Sequence, residues 1–146
     1  MSETLDSIDS AGFGSESKPY VFVAMPFLKE MEDVFYFGIQ DPTHAAGFLC
    51  ERIDNEAFIG EIMDQVKKKI ESAAVVVADL TGSNPNVYLE VGYAWGKGHP
   101  TILLIRAKEE ARFDVRGQRH LTYETIRDLK QKLANEIKQL KLKGEI

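Results

Sequence analysis

Three apolar runs constrain this chain more than any other feature: Tyr20-Val-Phe-Val-Ala-Met25, Ala74-Val-Val-Val-Ala-Asp79 and Thr101-Ile-Leu-Leu-Ile105. None of them alternates apolar with polar. A strand with one face in water alternates with period two, so an unbroken run reads as a strand covered on both faces, as in a parallel sheet between helices. The Ala74–Asp79 run is the strongest, because consecutive valines favour a strand and the run ends on a carboxylate. Between the runs lie helical patterns. In Asn55–Ala73, residues Phe58, Ile62, Val66, Ile70 and Ala73 share one face. Asn86–Lys97 reads as a helix with Asn84 as cap, Pro85 at the first position and Gly98 closing it. Thr122 opens a last helix with the stripe Ile126, Leu129, Leu133, Ile137 and Leu140. Weaker signals complete the order. Glu30–Gln40 fits a helix imperfectly. Asp41-Pro42 reads as an N-cap starting a new helical piece that Gly47 ends. Phe48–Ile53 is a second strand, and Lys108–Arg119 is polar with a candidate short strand near Asp114.

Strands alternating with helices predict an α/β fold, a three-layer sandwich around a mostly parallel, flavodoxin/Rossmann-like open sheet of about five strands. A chain of 146 residues suits one domain, expected over 19–146, after a Ser/Gly/acid-rich N-terminal arm (1–18) expected to be flexible. A domain of this size buries about 70% of its unfolded surface and needs no disulfide or metal for its core. The lone Cys50 excludes an intramolecular disulfide, and with three scattered histidines no metal site is expected. A net charge of −5 argues against nucleic acid or anionic membranes as partners. No apolar run is long enough to span a bilayer, and residues 1–17 lack a basic n-region, so the expected location is cytoplasmic.

In open parallel sheets, ligands bind beyond the carboxyl ends of the strands. This selects Met25 to Phe27, Arg52 to Asp54, Asp79 to Asn86 and Arg106 onward as the rim. Between Val87 and Trp95, every residue but Glu90 is apolar, aromatic or glycine. A carboxylate in such a helix is costly to bury unless it is paired, neutralised or used. Helical spacing lets Asn86 and Tyr93 flank it, the helix N-terminus lies a turn away, and Asp79 ends the neighbouring strand. Two carboxylates at one rim suit glycosidic cleavage: one attacks the anomeric carbon, the other holds the sugar or handles a proton. The plainer alternatives are a buried ion pair for Glu90, a turn for Asp79, and turn or cap roles for Asn84 and Asn86.

The stretch Asn-Pro-Asn-Val-Tyr-Leu-Glu-Val-Gly-Tyr-Ala (84–94), the Ala-Asp strand end before it, Gly-Lys-Gly-His-Pro-Thr-Ile-Leu-Leu after it, and the opening Val-Phe-Val-Ala-Met-Pro-Phe27 resemble the nucleoside 2-deoxyribosyltransferase-like superfamily, a relative of TIR-like nucleotide-binding domains. The resemblance covers residues 20–106. It implies that Glu90 attacks the anomeric carbon of a nucleoside or nucleotide, that Asp79 contacts the sugar, and that Met25, Pro26 and Phe27 line the ribosyl pocket. It also implies a homo-oligomer, no cofactor, NAD as a substrate beside (deoxy)nucleotides, and by analogy a role in antiviral defence. Two departures stand out: the first-strand loop has no tyrosine, and the base-protonating acid has only Asp54 as a candidate. Both favour hydrolysis, or binding without turnover, over transfer between bases.

Asp114, Arg116, Arg119 and His120 cluster after the last strong strand, where an arginine fork suits a phosphate, as in a nucleotide or NAD. A solvated loop is the alternative. Arg52 and Asp54 alternate out of a strand and either face the rim or pair with each other. Tyr93 and Trp95 can stack a base, though Trp95 reads as core. Two functions follow: N-glycosidic cleavage of a nucleotide-type ligand, or a non-catalytic nucleotide-sensing or TIR-like assembly module.

Overall fold

A computed structural model describes residues 18–53, 60–111 and 120–146. The expected arm (1–18), apart from Lys18, and the residues Asp54, Asp114, Arg116 and Arg119 lie outside that description. The strands are β1 (Tyr20–Ala24), β2 (Leu49–Glu51), β3 (Val75–Asp79), β4 (Thr101–Arg106) and β5 (His120–Tyr123). The helices are α1 (Asp41–Ala45), α2 (Gly60–Ser72), α3 (Pro85–Gly96) and α4 (Ile126–Leu142). The five strands form one sheet in the order β2-β1-β3-β4-β5 with every pairing parallel. This is the doubly wound α/β architecture expected from the unbroken apolar runs, and all five residues of β3 are buried.

Side chains alternate across the sheet. Phe22, Ala24, Val76, Ala78, Leu103 and Ile105 pack with Val66 and Ile70 of α2 and Val87, Val91 and Ala94 of α3. Val21, Val23, Val75, Val77, Ile102 and Leu104 pack on the other face with Phe35, Ile39 and the α4 stripe Leu129, Leu133 and Ile137. The chain reverses direction of winding between β1 and β3, so the crevice beyond their carboxyl ends is where such a sheet takes ligands.

Two local expectations are corrected. The first is Asp41-Pro42. Asp41 is no N-cap: the preceding Gln40 is helical (φ −65°, ψ −45°) and makes no side-chain cap bond. A π-helical stretch, Val34–Gln40, runs straight into α1. Pro42 has no N–H to return to the previous turn, and the wider π winding accommodates that missing bond. The second is Thr122, which belongs to β5 and not to the last helix. Helix α4 begins at Ile126, capped by the Thr125 hydroxyl, which accepts from the Asp128 N–H at 3.0 Å. Gly47, at φ +95°, does end α1 as expected.

The π stretch meets α4 at a glycine. A Cβ at Gly38 would stand 2.6 Å from Leu129 Cδ2 and 3.3 Å from its Cγ. Leu129 is itself 0% exposed and has nowhere to retreat. Gly38→Ala is expected to destabilise the chain by about 1–3 kcal/mol through overpacking, read as a lower urea midpoint at unchanged slope. An unchanged or higher midpoint would show that α4 can shift.

Candidate active site

The site is built around the turn from β3 into α3. Asp79, the last residue of β3, is 0% exposed. Its Oδ1 accepts the Thr81 N–H at 2.9 Å and its Oδ2 accepts the Tyr123 hydroxyl at 2.7 Å. Register explains the second bond: Asp79 pairs with Leu104 and Tyr123 with Arg106, so the phenol reaches across β4 on the face that carries Leu104. The Arg106 guanidinium lies over the Tyr123 ring at 5.2 Å. Burial pushes the Asp79 carboxyl above its ordinary value, against the opposing pull of the Thr81 and Tyr123 hydrogen bonds and the Arg106 charge. Burial and the neighbouring Asp79 charge push the Tyr123 phenol up as well.

The loop that follows is pinned at each step. Leu80 N–H donates to Leu104 O (2.8 Å), Arg106 N–H to Thr81 Oγ1 (3.0 Å), and Gly82 N–H to Glu109 Oε1 (2.9 Å). Gly82 (φ +83°) and Ser83 (φ +52°) are both left-handed. Such a conformation is uncommon for a serine and clusters at functional turns. Asn84 then caps α3, its Oδ1 accepting from Asn86 N–H (2.8 Å) and Val87 N–H (3.3 Å), with Pro85 entering the first turn. The cap role expected for Asn84 is what its side chain does.

Helix α3 turns Val87, Glu90, Val91 and Ala94 inward at helical spacing, and Glu90 is 2% exposed within this otherwise apolar stripe. It also lines a cavity of about 410 Å³ between α2 and α3, with Met63, Ile70, Tyr88 and Tyr93 among its walls. The cavity is mainly hydrocarbon; Lys67 also lines it, and both carboxylate oxygens of Glu90 are buried at its wall. Tyr93 shares that wall, but its hydroxyl donates to Glu71 of α2. Its ring lies between two cations, Lys67 Nζ at 5.6 Å and Lys97 Nζ at 5.7 Å. Trp95, read as core, sits on the outer side of α3 at 36% exposure.

At the other side of the crevice, Met25 (1% exposed) packs into the core with Val21 and Val23, and Pro26 is buried. Phe27 is half-buried and meets Arg52, whose guanidinium carbon stands 4.1 Å from the Phe27 ring centroid and 3.9 Å from that of Phe35. Two rim residues chosen from the sequence, one after β1 and one after β2, are thus in contact. Their third member, Phe35, comes from the π stretch and carried no rim signal. Tyr123 was missed as the partner of Asp79, since that bond arises from strand pairing across β4, whereas Thr81 falls within the rim read from Asp79 to Asn86 and meets Asp79 through a local turn.

The Asp79 environment has a consequence for stability. The folded chain holds the Asp79 proton more tightly than the unfolded chain, so this group's contribution is most favourable below the ordinary carboxylate value of about 3.9 and is lost as pH rises through the raised folded value. Asp79→Asn removes that titration while keeping an acceptor for Thr81. Its melting temperature is expected to gain on wild type as pH rises from about 3.5 to neutrality. A difference constant with pH would contradict this.

The open, all-parallel α/β sheet expected from the sequence is the fold observed. The structure superposes on the CMP N-glycosidase BcmB of Clostridium botulinum with a TM-score of 0.62 and 21% identity, covering 79% of this chain and 98% of that one. No protein-family model and no curated protein matches the sequence. Among the described residues, no helix is long and apolar enough to cross a membrane.

Proposed function

We propose that this protein cleaves the N-glycosidic bond of a nucleotide, with Glu90 as the nucleophile. The observation that carries the proposal is the placement of Glu90: one carboxylate in an otherwise apolar inward stripe, at a cavity wall, on the helix that leaves the carboxyl end of β3. The fold shared with a CMP N-glycosidase supports the same chemistry. A Glu90 oxygen attacks the anomeric carbon, the C–N bond breaks, and the base departs with the electron pair and is protonated. Water then hydrolyses the glycosyl ester, releasing sugar phosphate and restoring the carboxylate. In this scheme Asp79, fully buried, acts by holding the β3–α3 turn through Thr81 and Tyr123. Asn84 caps and so fixes the start of α3, the helix that carries Glu90.

The test is chromatography of free base after incubating the protein with CMP, the other ribo- and deoxyribonucleoside monophosphates, and NAD. Release of base from at least one monophosphate is expected. Ligand-dependent thermal stabilisation with no base released from any of them would overturn the catalytic proposal in favour of a nucleotide-sensing module.

A further inference from the structure

Arg52 is the cation that the crevice holds most deliberately. It follows β2, directly beside the carboxyl end of β1 in the sheet order. Its guanidinium carbon lies 4.1 Å from the Phe27 centroid, 3.9 Å from Phe35 and 5.9 Å from Tyr36. Three aromatic rings from two separate segments converge on one side chain. Contacts of this kind favour arginine, whose flat cation stacks on a ring face where an ammonium does not. They also fix the plane of the fork. A ring face is no substitute for a carboxylate, and among the described residues no carboxylate pairs with Arg52. Among the described residues the rings order the guanidinium without a carboxylate partner, and a fork held flat in this way suits a bidentate anion at its in-plane N–H donors.

We infer that Arg52, held against Phe27 and Phe35, takes the phosphate of the substrate, so that the enzyme acts on nucleotides in preference to nucleosides. This rests on the glycosidase proposal for the identity of the ligand, since the phosphate is the one anionic group a nucleotide brings to the crevice. Because the rings pre-order the fork, little side-chain entropy is lost when the phosphate binds. The phosphate can belong to a monophosphate or to the diphosphate bridge of a dinucleotide, and the substrate pairs below separate the two.

The experiment measures kcat/KM for CMP against cytidine, and for NAD against nicotinamide riboside, in wild type, Arg52→Gln and Arg52→Lys. In wild type the phosphorylated member of one pair is expected to be preferred by about 100-fold or more, comparable to the loss of a charge-assisted bidentate contact. In Arg52→Gln that ratio is expected to collapse by at least about 30-fold, through KM. In Arg52→Lys, which keeps the charge and loses the fork, it is expected to fall between the two. Equal losses for the phosphorylated and unphosphorylated members would assign Arg52 a purely structural role and overturn the inference. If wild type cleaves nothing, the glycosidase proposal fails, and the phosphate assignment is judged by binding. Thermal stabilisation by CMP beyond that by cytidine, lost in Arg52→Gln, supports it. No difference between CMP and cytidine in wild type overturns it.

Discussion

Glu90→Gln is expected to abolish base release, lowering kcat by about 10³-fold or more while nucleotide binding persists. Glutamine has the shape of glutamate and no charge, so the apolar stripe of α3 stays packed and the cavity between α2 and α3 keeps its outline. What disappears is the oxygen that can form an ester with the anomeric carbon. Losing a covalent nucleophile removes an interaction made only on the way to the transition state, so the loss falls on kcat and not on KM. A variant that folds, binds and still releases base at the wild-type rate would remove Glu90 from the chemistry.

The second large effect is on the turn beneath the site. Asp79→Ala deletes an acceptor for the Thr81 N–H and for the Tyr123 hydroxyl at a position with no access to water. Each buried donor left without a partner costs about 1–3 kcal/mol, so a loss of about 3 kcal/mol is expected from the urea midpoint. Tyr123→Phe removes one of the same bonds and is expected to cost about 1–2 kcal/mol. Because the two residues share a bond, the double variant should cost less than the sum of the singles by about 1 kcal/mol. Strict additivity would mean that the bond across β4 contributes nothing. The turn also carries Asn84 and the first residues of α3, so Asp79→Ala should lower turnover as well as stability, whereas Asp79→Asn should preserve both better.

The parts of the fold legible in the sequence are those written locally. Valines 75–77 have no polar partner in their run, and that alone places β3 in the middle of a covered sheet. The Asn84-Pro85 start of α3 is legible for the same reason, since a cap and its N–H groups lie within three residues. Strand β5 is different. His120–Tyr123 has one buried residue among four and exists because it pairs with β4 at the sheet edge. Nothing in a four-residue stretch of mixed polarity announces that pairing, so Tyr123, whose hydroxyl donates to Asp79, could not be read. Pro42 misled for a related reason: its missing N–H is usually a helix boundary, and here the π winding ahead of it carries the helix through. Trp95 looked like core because large aromatics usually are, yet it falls on the outer side of α3, away from the inward set Val87, Glu90, Val91 and Ala94. The meeting of Phe27, Phe35 and Arg52 depends on β2 lying beside β1, a fact of strand order that no local pattern contains.

The covalent role of Glu90 is tested most directly by peptide mapping. The protein is reacted with a nucleoside monophosphate bearing fluorine at C2′, which slows hydrolysis of a glycosyl ester, then quenched in acid, digested and examined by mass spectrometry. The expected result is one equivalent of base released per chain and the mass of the fluorinated sugar phosphate on the peptide containing Glu90. Stoichiometric base release with that mass on another residue, or on none, would contradict it.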